Sequence, residues 1–335
     1  MTVPTQLPAP QVVQVNSTGS VTFNATFTPS ASIANRGNFI TVTPASGTAP
    51  AAITLGVNPA ILATLSQGTY TGTVTISSPG VASQTVSVTL TIGAAPPPAI
   101  TAIVNAATLQ PGAIAPGEII SIFGTNFGPL LPQTFTLTSA GTVPTTLGGV
   151  TVMFNNVSAP LLYVSSTQIN AIVPYETAGQ TSVSAEVQFG GLTSAMLQAN
   201  VVATEPGIFS LSQGGSGQGA ILNQDYSVNG ANNPAAKGSV IQIFATGEGQ
   251  LVPPVATGSV TPGAPPFSKP VATVTVTIGG QTAQIEYAGE APTLVAGVIQ
   301  INAVIPAGAA SGNQPVVVTI GTNTNSNQTI TVAVQ

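Results

Sequence analysis

The sequence predicts an all-β protein built from three β-sandwich domains in series. Short segments throughout the chain alternate β-branched apolar residues with Thr or Ser, which is the two-residue period of a half-buried strand. Gly, Pro and Asn recur between these segments at the spacing expected of a sandwich. The alternating segments include SVTFNATFT (20–28), TGTVTISS (71–78), TVSVTLTI (85–92), VTVMF (150–154), ATVTVTI (272–278) and PVVVTI (315–320).

One segment departs from this pattern and predicts a helix. NPAILATLSQG (58–68) begins with Asn58, which can cap a helix, and Pro59 suits the first helical position. Gly68 then ends the helical signal.

Two changes of composition divide the chain into three domains. GAAPPPAI (93–100) contains three consecutive prolines, which favour a stiff, extended spacer. ATEPGIFSLSQGGSGQG (203–219) is richer in glycine and marks a second junction. The predicted domains therefore cover residues 1–94, 98–204 and 205–335, and each is long enough to bury its own core.

The second and third domains repeat the same order of segments. GEIISIFGTNFG (117–128) aligns with GSVIQIFATGEG (238–249), and the strand pair at 148–164 aligns with the pair at 272–288. A nearly identical heptapeptide follows in each domain. Because this order is preserved over about 100 residues, the sequence predicts an internal duplication.

The two heptapeptides, QINAIVP (168–174) and QINAVIP (300–306), are predicted to be one strand that occurs twice. Asn is depleted in strands, so Asn170 and Asn302 are expected to have structural roles, with their amides bonded to neighbouring backbone. Neither is expected to bind a ligand. The residues expected to face the core are Ile169, Ala171, Val173, Ile301, Ala303 and Ile305.

The chain is unusually poor in charge. Charged residues make up 3% of it and hydrophobic residues 43%, whereas soluble domains have roughly 25% charged residues. The cations are Arg36, Lys237 and Lys269, so no basic patch is available for nucleic acid or an anionic membrane surface. Apolar runs are short and interrupted by polar residues, so membrane insertion is not expected either.

The low charge also favours self-association. Thr, Ser, Asn and Gln must cover the surface, and such a surface lacks the net-charge repulsion that keeps copies apart. Because His is absent and carboxylates are few, we expect little folding free energy to be linked to proton binding between about pH 5 and 8.

Enzymatic activity is not expected. With no His and no Cys, the common serine and cysteine arrangements cannot be built. Lys237 and Lys269 lie beside Gly or Pro in loop-like sequence, which favours solvated lysines over a serine–lysine dyad. Glu286 and Glu290 flank the tripeptide YAG, and a sandwich turn explains them more simply than an acid–base pair. No cofactor is implied.

One polar loop raises the alternative of a calcium site. NQDYSVNG (223–230) alternates polar side chains before a glycine. A calcium loop of the EF-hand type uses several carboxylates and a Glu at its twelfth position, whereas here Asp225 is the sole acid and the twelfth residue is Pro234. A hydrogen-bonded Asx turn is therefore expected.

Several long motifs resemble known families. PGEIISIFGTNFGP, LGGVTVMFNNVSAPLLYVSSTQINAIVPYE and NPAAKGSVIQIFATGEGQLVPPVATG together resemble an uncharacterised C-terminal module of secreted proteins of soil acidobacteria, over about residues 100–335. GEIISIFGTNFG is similar to the opening strand of IPT/TIG domains, a branch of the Ig-like sandwiches. LSQGTYTGTVTISSPG (65–80) resembles BACON-type and related Ig-like domains. The resemblance implies three Ig-like domains and a secreted, extracellular or cell-surface location, but no activity.

Two long passages, 125–147 and 246–270, are the predicted interaction surfaces of the second and third domains. Loops of this length are usually functional or packed on a neighbour. The alternative is that they cross between sheets and bury their apolar residues internally. The residues assigned to an assembly surface here are Phe127, Leu130, Leu131 and Phe267.

These features together predict a non-enzymatic structural subunit of an extracellular filament or surface assembly, whose partners are copies of itself. Residues 1–15 are the expected donor of an added strand, because QVVQV (11–15), with Val12, Val13 and Val15, follows a Pro-rich lead. The alternative is an adhesion or glycan-binding module. It is less favoured because Trp is absent and only five tyrosines are available for sugar stacking.

Overall fold

The computed structural model describes residues 7–94, 96–325 and 327–335. The prediction of an all-β protein is confirmed, since strands dominate and the described helices are one short α-helix and two 3-10 helices. The chain forms two compact units. The beginning of the expected donor segment, residues 1–6, lies outside the described residues.

The first unit runs to Pro97 and also takes in Gly128–Leu131 and Gly190–Leu192. Its strands form two antiparallel sheets, with orders β1-β5-β3 and β4-β2-β6-β7. The strands are β1 (Gln11–Val15), β2 (Val21–Pro29), β3 (Ile40–Thr43), β4 (Ser46–Ala49), β5 (Ala51–Val57), β6 (Gly68–Ser78) and β7 (Val81–Ile92). A 3-10 helix, Ala31–Arg36, follows β2.

Alternation along the strands builds the core of the first unit. Phe23, Ala25 and Phe27 of β2 are buried, while the residues between them are exposed. The Phe39 ring packs edge-to-face against Phe27, with ring centroids 4.9 Å apart, and it also contacts the ring of Tyr70. Alternate residues of β2 point to the same face of the sheet, and on that face they pack with aromatic side chains.

The predicted helix is present but spans a single turn, α1 (Pro59–Leu62). The Asn58 side chain accepts a hydrogen bond from the Ala60 amide at 3.1 Å, as expected of an N-cap. The helix ends early because the amide and hydroxyl of Thr64 both donate to the Ile61 carbonyl.

The second unit consists of two halves, which we call the first half (residues 98–204, apart from Gly128–Leu131 and Gly190–Leu192) and the second half (205–335). The two sheets of the first half have the orders β10-β13-β14-β9-β8 and β12-β11-β15-β16, with β17 paired to β15. The 3-10 helix Tyr175–Thr177 follows β14. The strands are β8 (Ala99–Asn105), β9 (Ile119–Thr125), β10 (Gln133–Thr134), β11 (Val150–Phe154), β12 (Val157–Ser158), β13 (Leu161–Val164), β14 (Gln168–Ile172), β15 (Ser182–Phe189), β16 (Leu192–Thr193) and β17 (Leu197–Asn200).

The second half has two main sheets of similar design. Their orders are β18-β21-β27-β26, with β20 paired to β21, and β19-β30-β28-β24-β25, with β29 paired to β28; β22 and β23 form a separate two-stranded sheet. The strands are β18 (Gly207–Ile208), β19 (Gly217–Gln218), β20 (Ile221–Leu222), β21 (Val240–Thr246), β22 (Leu251–Val252), β23 (Lys269–Pro270), β24 (Val274–Ile278), β25 (Gln281–Ala283), β26 (Ile285–Glu290), β27 (Ile299–Val304), β28 (Gly312–Ile320), β29 (Asn323–Thr324) and β30 (Ile330–Val334).

The two heptapeptide strands hold the same place in the two halves. β14 lies between β13 and β9, and β27 lies between β26 and β21. The strand preceding each heptapeptide strand carries a register shift at the corresponding point, Leu161/Tyr163 in β13 and Ile285/Tyr287 in β26. This shared arrangement is what an internal duplication predicts. The six residues expected to face the core are all buried, which confirms that expectation.

The two halves of the second unit are packed together, so that the three predicted domains form two compact units. A hydrophobic cluster joins buried Ile119, Val143 and Ile172 of the first half to Val295 and Val298 of the second. The segment 203–219, expected from its glycines to be a soft junction, begins close against the loop that follows β21. A Cβ built on Gly249 would lie 2.1 Å from the Ala203 carbonyl oxygen, so the backbones approach too closely there for any side chain.

Candidate functional site

The strand expected to add to a neighbouring subunit is already part of its own sheet. β1 pairs antiparallel with β5, with Val12 opposite Thr54. Val15 is buried and Val13 packs against the core of the first unit, while Val12 is 60% exposed. Residues 11–15 of the expected donor segment 1–15 are thus held in their own sheet, where their alternating valines complete this core, and strand addition by this segment stays a prediction. A partner chain could pair only with the outer edge of β1, on the side away from β5.

The longest sheet edge belongs to β7. This 12-residue strand pairs with β6 and ends the order β4-β2-β6-β7. Among the described residues, no backbone group outside β6 bonds to the backbone of β7, and the Ala82 carbonyl of β7 accepts a hydrogen bond from Gln84 Nε2 of the same strand at 3.5 Å. It contains neither a charged residue nor a proline. Charged residues and prolines usually prevent an edge strand from pairing with another chain.

The side chains of β7 divide between two faces. Val86, Val88 and Leu90 point toward the core of the first unit and are half-buried. Thr85, Ser87, Thr89 and Thr91 lie between them and are exposed. The strand therefore presents an alternating, uncharged surface beside an unpaired backbone edge.

The four apolar residues assigned to the long passages have different environments. Phe127 is fully buried, so it cannot contact a neighbouring subunit and its assignment to an assembly surface is wrong. The physical reason is Gly124, where a Cβ would lie 2.3 Å from the Phe127 ring. Leu131 is 67% exposed, whereas Leu130 is half-buried against the core of the first unit. Phe267 is half-buried and packs edge-to-face on Tyr287, with centroids 6.1 Å apart.

Sequence reasoning missed a cluster of buried carboxyl groups in the second unit. Glu118, Glu248 and Glu290 are exposed by only 0%, 2% and 4%, in a chain with eight acidic residues. Lys237 and Lys269 are exposed. Buried carboxylates are costly unless they are paired, hydrogen-bonded or neutral, so these groups require an explanation.

Glu118 is the second residue of the motif GEIISIF and directly precedes β9. Its Oε2 accepts a hydrogen bond from the Ala115 amide at 2.6 Å, and its buried Oε1 has no hydrogen-bond partner. Burial raises the pKa of Glu118 well above its usual value, and the nearby charges of Glu205 and Glu248 raise it further.

Glu248 lies in the loop after β21 and meets Tyr175 of the other half. Its Oε1 accepts from the Tyr175 hydroxyl at 3.0 Å, and its buried Oε2 has no partner. Burial raises the pKa of Glu248 to about 8, with Glu290 adding to the effect. The pKa of Tyr175 is also raised, by burial and then by the charge of Glu248.

These environments correct the expectation that stability is insensitive to pH between 5 and 8. A carboxyl group with a pKa of about 8 keeps its proton in the folded protein across most of that range. The composition shows how few carboxyl groups there are but not that several of them are buried. A local signal was available for Glu118, which directly precedes an apolar strand.

Hydrogen bonds next to these carboxyl groups join the two halves. The Ile119 amide donates to Thr246 Oγ1 at 2.8 Å, and the Thr246 hydroxyl donates to the Gly297 carbonyl at 2.7 Å. The Tyr175 amide donates to Thr257 Oγ1 at 2.9 Å. The halves are thus connected by buried polar contacts as well as by the hydrophobic cluster.

Two cavities of about 300 Å³ and 310 Å³ lie beside this junction. The first is lined by residues that include Pro116, Val202 and Glu248, and the second by Tyr175, Leu251 and Pro254 among others. Both linings are mainly apolar. In the part of the chain that the structure describes, no group of three or more acidic, His or Cys residues is placed to hold a metal ion.

The polar loop at 223–230 forms the expected Asx turn. Asp225 Oδ1 accepts from the amide of Ser227 at 3.0 Å and also from its hydroxyl, and these bonds lower the pKa of Asp225. Tyr226, beside it, is 72% exposed. Glu286 and Glu290 do not form an acid–base pair that a substrate could reach, because Glu290 is buried while Glu286 is exposed.

Comparison with known proteins identifies one domain. A family model described as IPT/TIG domain matches residues 98–200, so an IPT/TIG Ig-like domain is found where the resemblance predicts one. No curated protein matches the chain. Among the described residues, no helix is long and apolar enough to cross a membrane.

The solved structures that match this chain share little sequence identity with it and have low TM-scores. A gamma-CGTase from alkalophilic Bacillus clarkii is 11% identical with a TM-score of 0.24, over 82% of this chain and 33% of that one. SGBP-B from Bacteroides ovatus, in complex with a mixed-linkage heptasaccharide, is 11% identical with a TM-score of 0.31, over 98% and 71%. A bacterial ice-binding adhesin is 14% identical with a TM-score of 0.20, over 97% and 90%. The chain thus spans about a third of the CGTase.

Proposed function

We propose that this protein is a non-enzymatic structural subunit of an extracellular filament or surface assembly, and that its partners are copies of itself. The observation that carries the proposal is the long, uncharged edge of β7, whose backbone pairs with no backbone other than that of β6 among the described residues. Natural proteins usually protect such edges with charge, proline or a covering element. An edge left open in this way favours pairing with another chain.

The chemistry of the side chains supports a role without catalysis. Two acidic groups with raised pKa values, Glu118 and Glu248, are buried within the second unit and bonded to its own groups. A third, Glu205, whose pKa is also raised by burial, is half-buried. Lys237 and Lys269 are exposed, as solvated lysines are. A general acid or base must reach the proton that it transfers, and Glu118 and Glu248 lack that access.

The packing of the second unit supports a load-bearing role. Its two halves share a hydrophobic cluster and buried hydrogen bonds, so that they form one compact unit. Flexibly linked domains would be a poor spacer in an assembly. The extracellular location rests on the resemblance of residues 100–335 to modules of secreted proteins.

Electron microscopy of the purified chain at increasing concentration tests this proposal. We expect ordered oligomers or filaments, and single chains at the highest concentrations would contradict it. The edge of β1 can be examined with Val12→Lys, which places a charge on a 60% exposed edge residue. Ala52→Lys, on the exposed face of the neighbouring central strand β5, adds the same charge away from the edge and serves as its control.

A second candidate, glycan binding, is favoured by Tyr226. This ring is 72% exposed and stands in a loop of hydrogen-bonded polar side chains, including Asn223 and Asp225. An exposed aromatic ring among polar groups is a suitable platform for a sugar. A glycan array tests the candidate: binding that Tyr226→Ala removes would support it, and an array without binding would exclude it for the glycans tried.

A further inference from the structure

The β7 edge has a self-complementary sequence. Residues 85–91 read TVSVTLT, which is nearly symmetric about Val88. If two copies of this strand lie antiparallel and Val88 faces Val88, then Val86 faces Leu90, Ser87 faces Thr89 and Thr85 faces Thr91. Apolar residues would meet apolar residues on one face, and hydroxyl residues would meet hydroxyl residues on the other.

We propose that β7 pairs antiparallel with β7 of a second copy, centred on Val88, so that two four-stranded sheets become one continuous sheet. This inference rests on the proposed function and names the surface and the register of one contact between subunits. It commits to a second copy of this chain as the occupant of the edge.

The geometry of β7 meets the requirements of such a pair. Thr85–Thr91 pair with Thr75–Thr69 of β6 without interruption, and the one register irregularity lies beyond them at Ile76/Ser78. In an antiparallel strand, alternate residues direct both their N–H and their C=O groups away from the existing neighbour. An unbroken row of donors and acceptors is therefore available on the outer side.

Burial of the inward side chains also points to a missing strand. Val86, Val88 and Leu90 pack on the core of the first unit yet remain half-buried. A second β7 would place an apolar side chain beside each of them, at the distance of about 5 Å between Cβ atoms that is usual across a strand pair.

Electrostatics favour a second copy over a charged partner. The chain carries a formal net charge of −5, but β7 contains none of the charged residues, so two copies meet there without like charges in contact. Other sheet edges are less suitable. The next longest is β8, with 7 residues, and its pairing carries a register shift.

Paired charge substitutions on the exposed face test this register. In the proposed dimer, position 87 of one copy faces position 89 of the other, so Ser87→Lys with Thr89→Lys places like charges opposite each other in two places. We expect the dimer dissociation constant to rise at least about tenfold. Ser87→Lys with Thr89→Glu places opposite charges together and should restore association. Thr26→Lys with Thr28→Lys, on the exposed face of the central strand β2, adds the same charge and should leave the dimer unchanged.

Cross-linking tests the centre of the pair. The chain has no cysteine, so Val88→Cys should cross-link to itself in the dimer with a short thiol-specific reagent. Val81→Cys is the control, because Val81 is 59% exposed on the same strand but lies outside the paired region. Equal cross-linking of both variants would overturn the proposed register.

The outcomes separate this inference from the proposed function. Large assemblies that the double-lysine variant leaves unchanged would refute the β7 pair and leave the assembly proposal standing. A wild-type chain that stops at a dimer, which the double-lysine variant dissociates, would support the β7 pair and contradict a filament. A monomeric wild-type chain would contradict both.

Discussion

Asn170 and Asn302 occupy the same position in two different sheets of the second unit. Asn170 lies opposite Ser121 and Tyr163 on its two neighbouring strands, and Asn302 lies opposite Gln242 and Tyr287. Each Oδ1 accepts a hydrogen bond at 2.9 Å from the glutamine two residues earlier. The expected bonds to neighbouring backbone are thus replaced by bonds to side chains on the same strand face.

Replacement of these asparagines should destabilise the second unit to unequal extents. Asn302→Ala removes the acceptor for Gln300 and should lower the free energy of unfolding by about 1 kcal/mol. Asn170→Ala should cost more, because Asn170 also accepts from the Ser121 hydroxyl at 3.0 Å. Chemical denaturation of the full chain measures both. A larger loss for Asn302→Ala would contradict this ranking.

A glycine substitution should show how tightly the loop after β21 is packed. Gly247 has a φ of +83°, and a Cβ there would lie 1.8 Å from the Glu205 carbonyl oxygen. Gly238 has a φ of +80° with no atom within 4 Å of its Cβ position. Gly238→Ala should therefore cost only the backbone strain, about 1 kcal/mol.

Gly247→Ala adds a steric clash to the same strain, so it should cost several kcal/mol more than its control. Differential scanning calorimetry of the two variants gives the comparison. Similar melting temperatures would mean that segment 203–206 can move away from this loop without loss.

The buried carboxyl groups should make stability fall as pH rises. The pKa of Glu248 is raised from 4.5 to about 8, so between these values the folded state binds more protons than the unfolded state. The free energy of unfolding should therefore decrease across this window, by at most about 1.4 kcal/mol per pH unit for this group, and level off above it. The raised pKa of Glu118 acts in the same direction.

Glu248→Gln keeps an acceptor for the Tyr175 hydroxyl but cannot ionise, so it should flatten this decline. Glu286→Gln changes an exposed carboxyl group and provides the control. Calorimetry from pH 5 to pH 9 measures the slopes. Equal slopes for Glu248→Gln and the unmodified chain would show that Glu248 is not a source of the pH dependence.

Much of the fold follows from local patterns in the sequence. The alternation of Thr with β-branched residues predicts β2, β6, β7, β11, β24 and β28, and the repeated heptapeptide predicts β14 and β27. Asn58 and Pro59 locate the helix because capping depends on adjacent residues. These features need no knowledge of distant contacts.

Features that depend on distant contacts could not be predicted in this way. Phe127 lies in a long, irregular passage, yet its ring is buried because Gly124 leaves room for it. Glu248 stands between glycines like a surface-loop residue, and its environment is set by Tyr175, which is far away in the sequence. Val15 completes a core through its pairing with β5, which the alternation of β1 alone does not reveal.

Sedimentation velocity of the unmodified chain over a wide concentration range tests the central claim, self-association, most directly. An uncharged β7 edge that is open to a second copy predicts a sedimentation coefficient that rises with concentration from monomer through dimer to larger species. A single monomeric species at every concentration would contradict it.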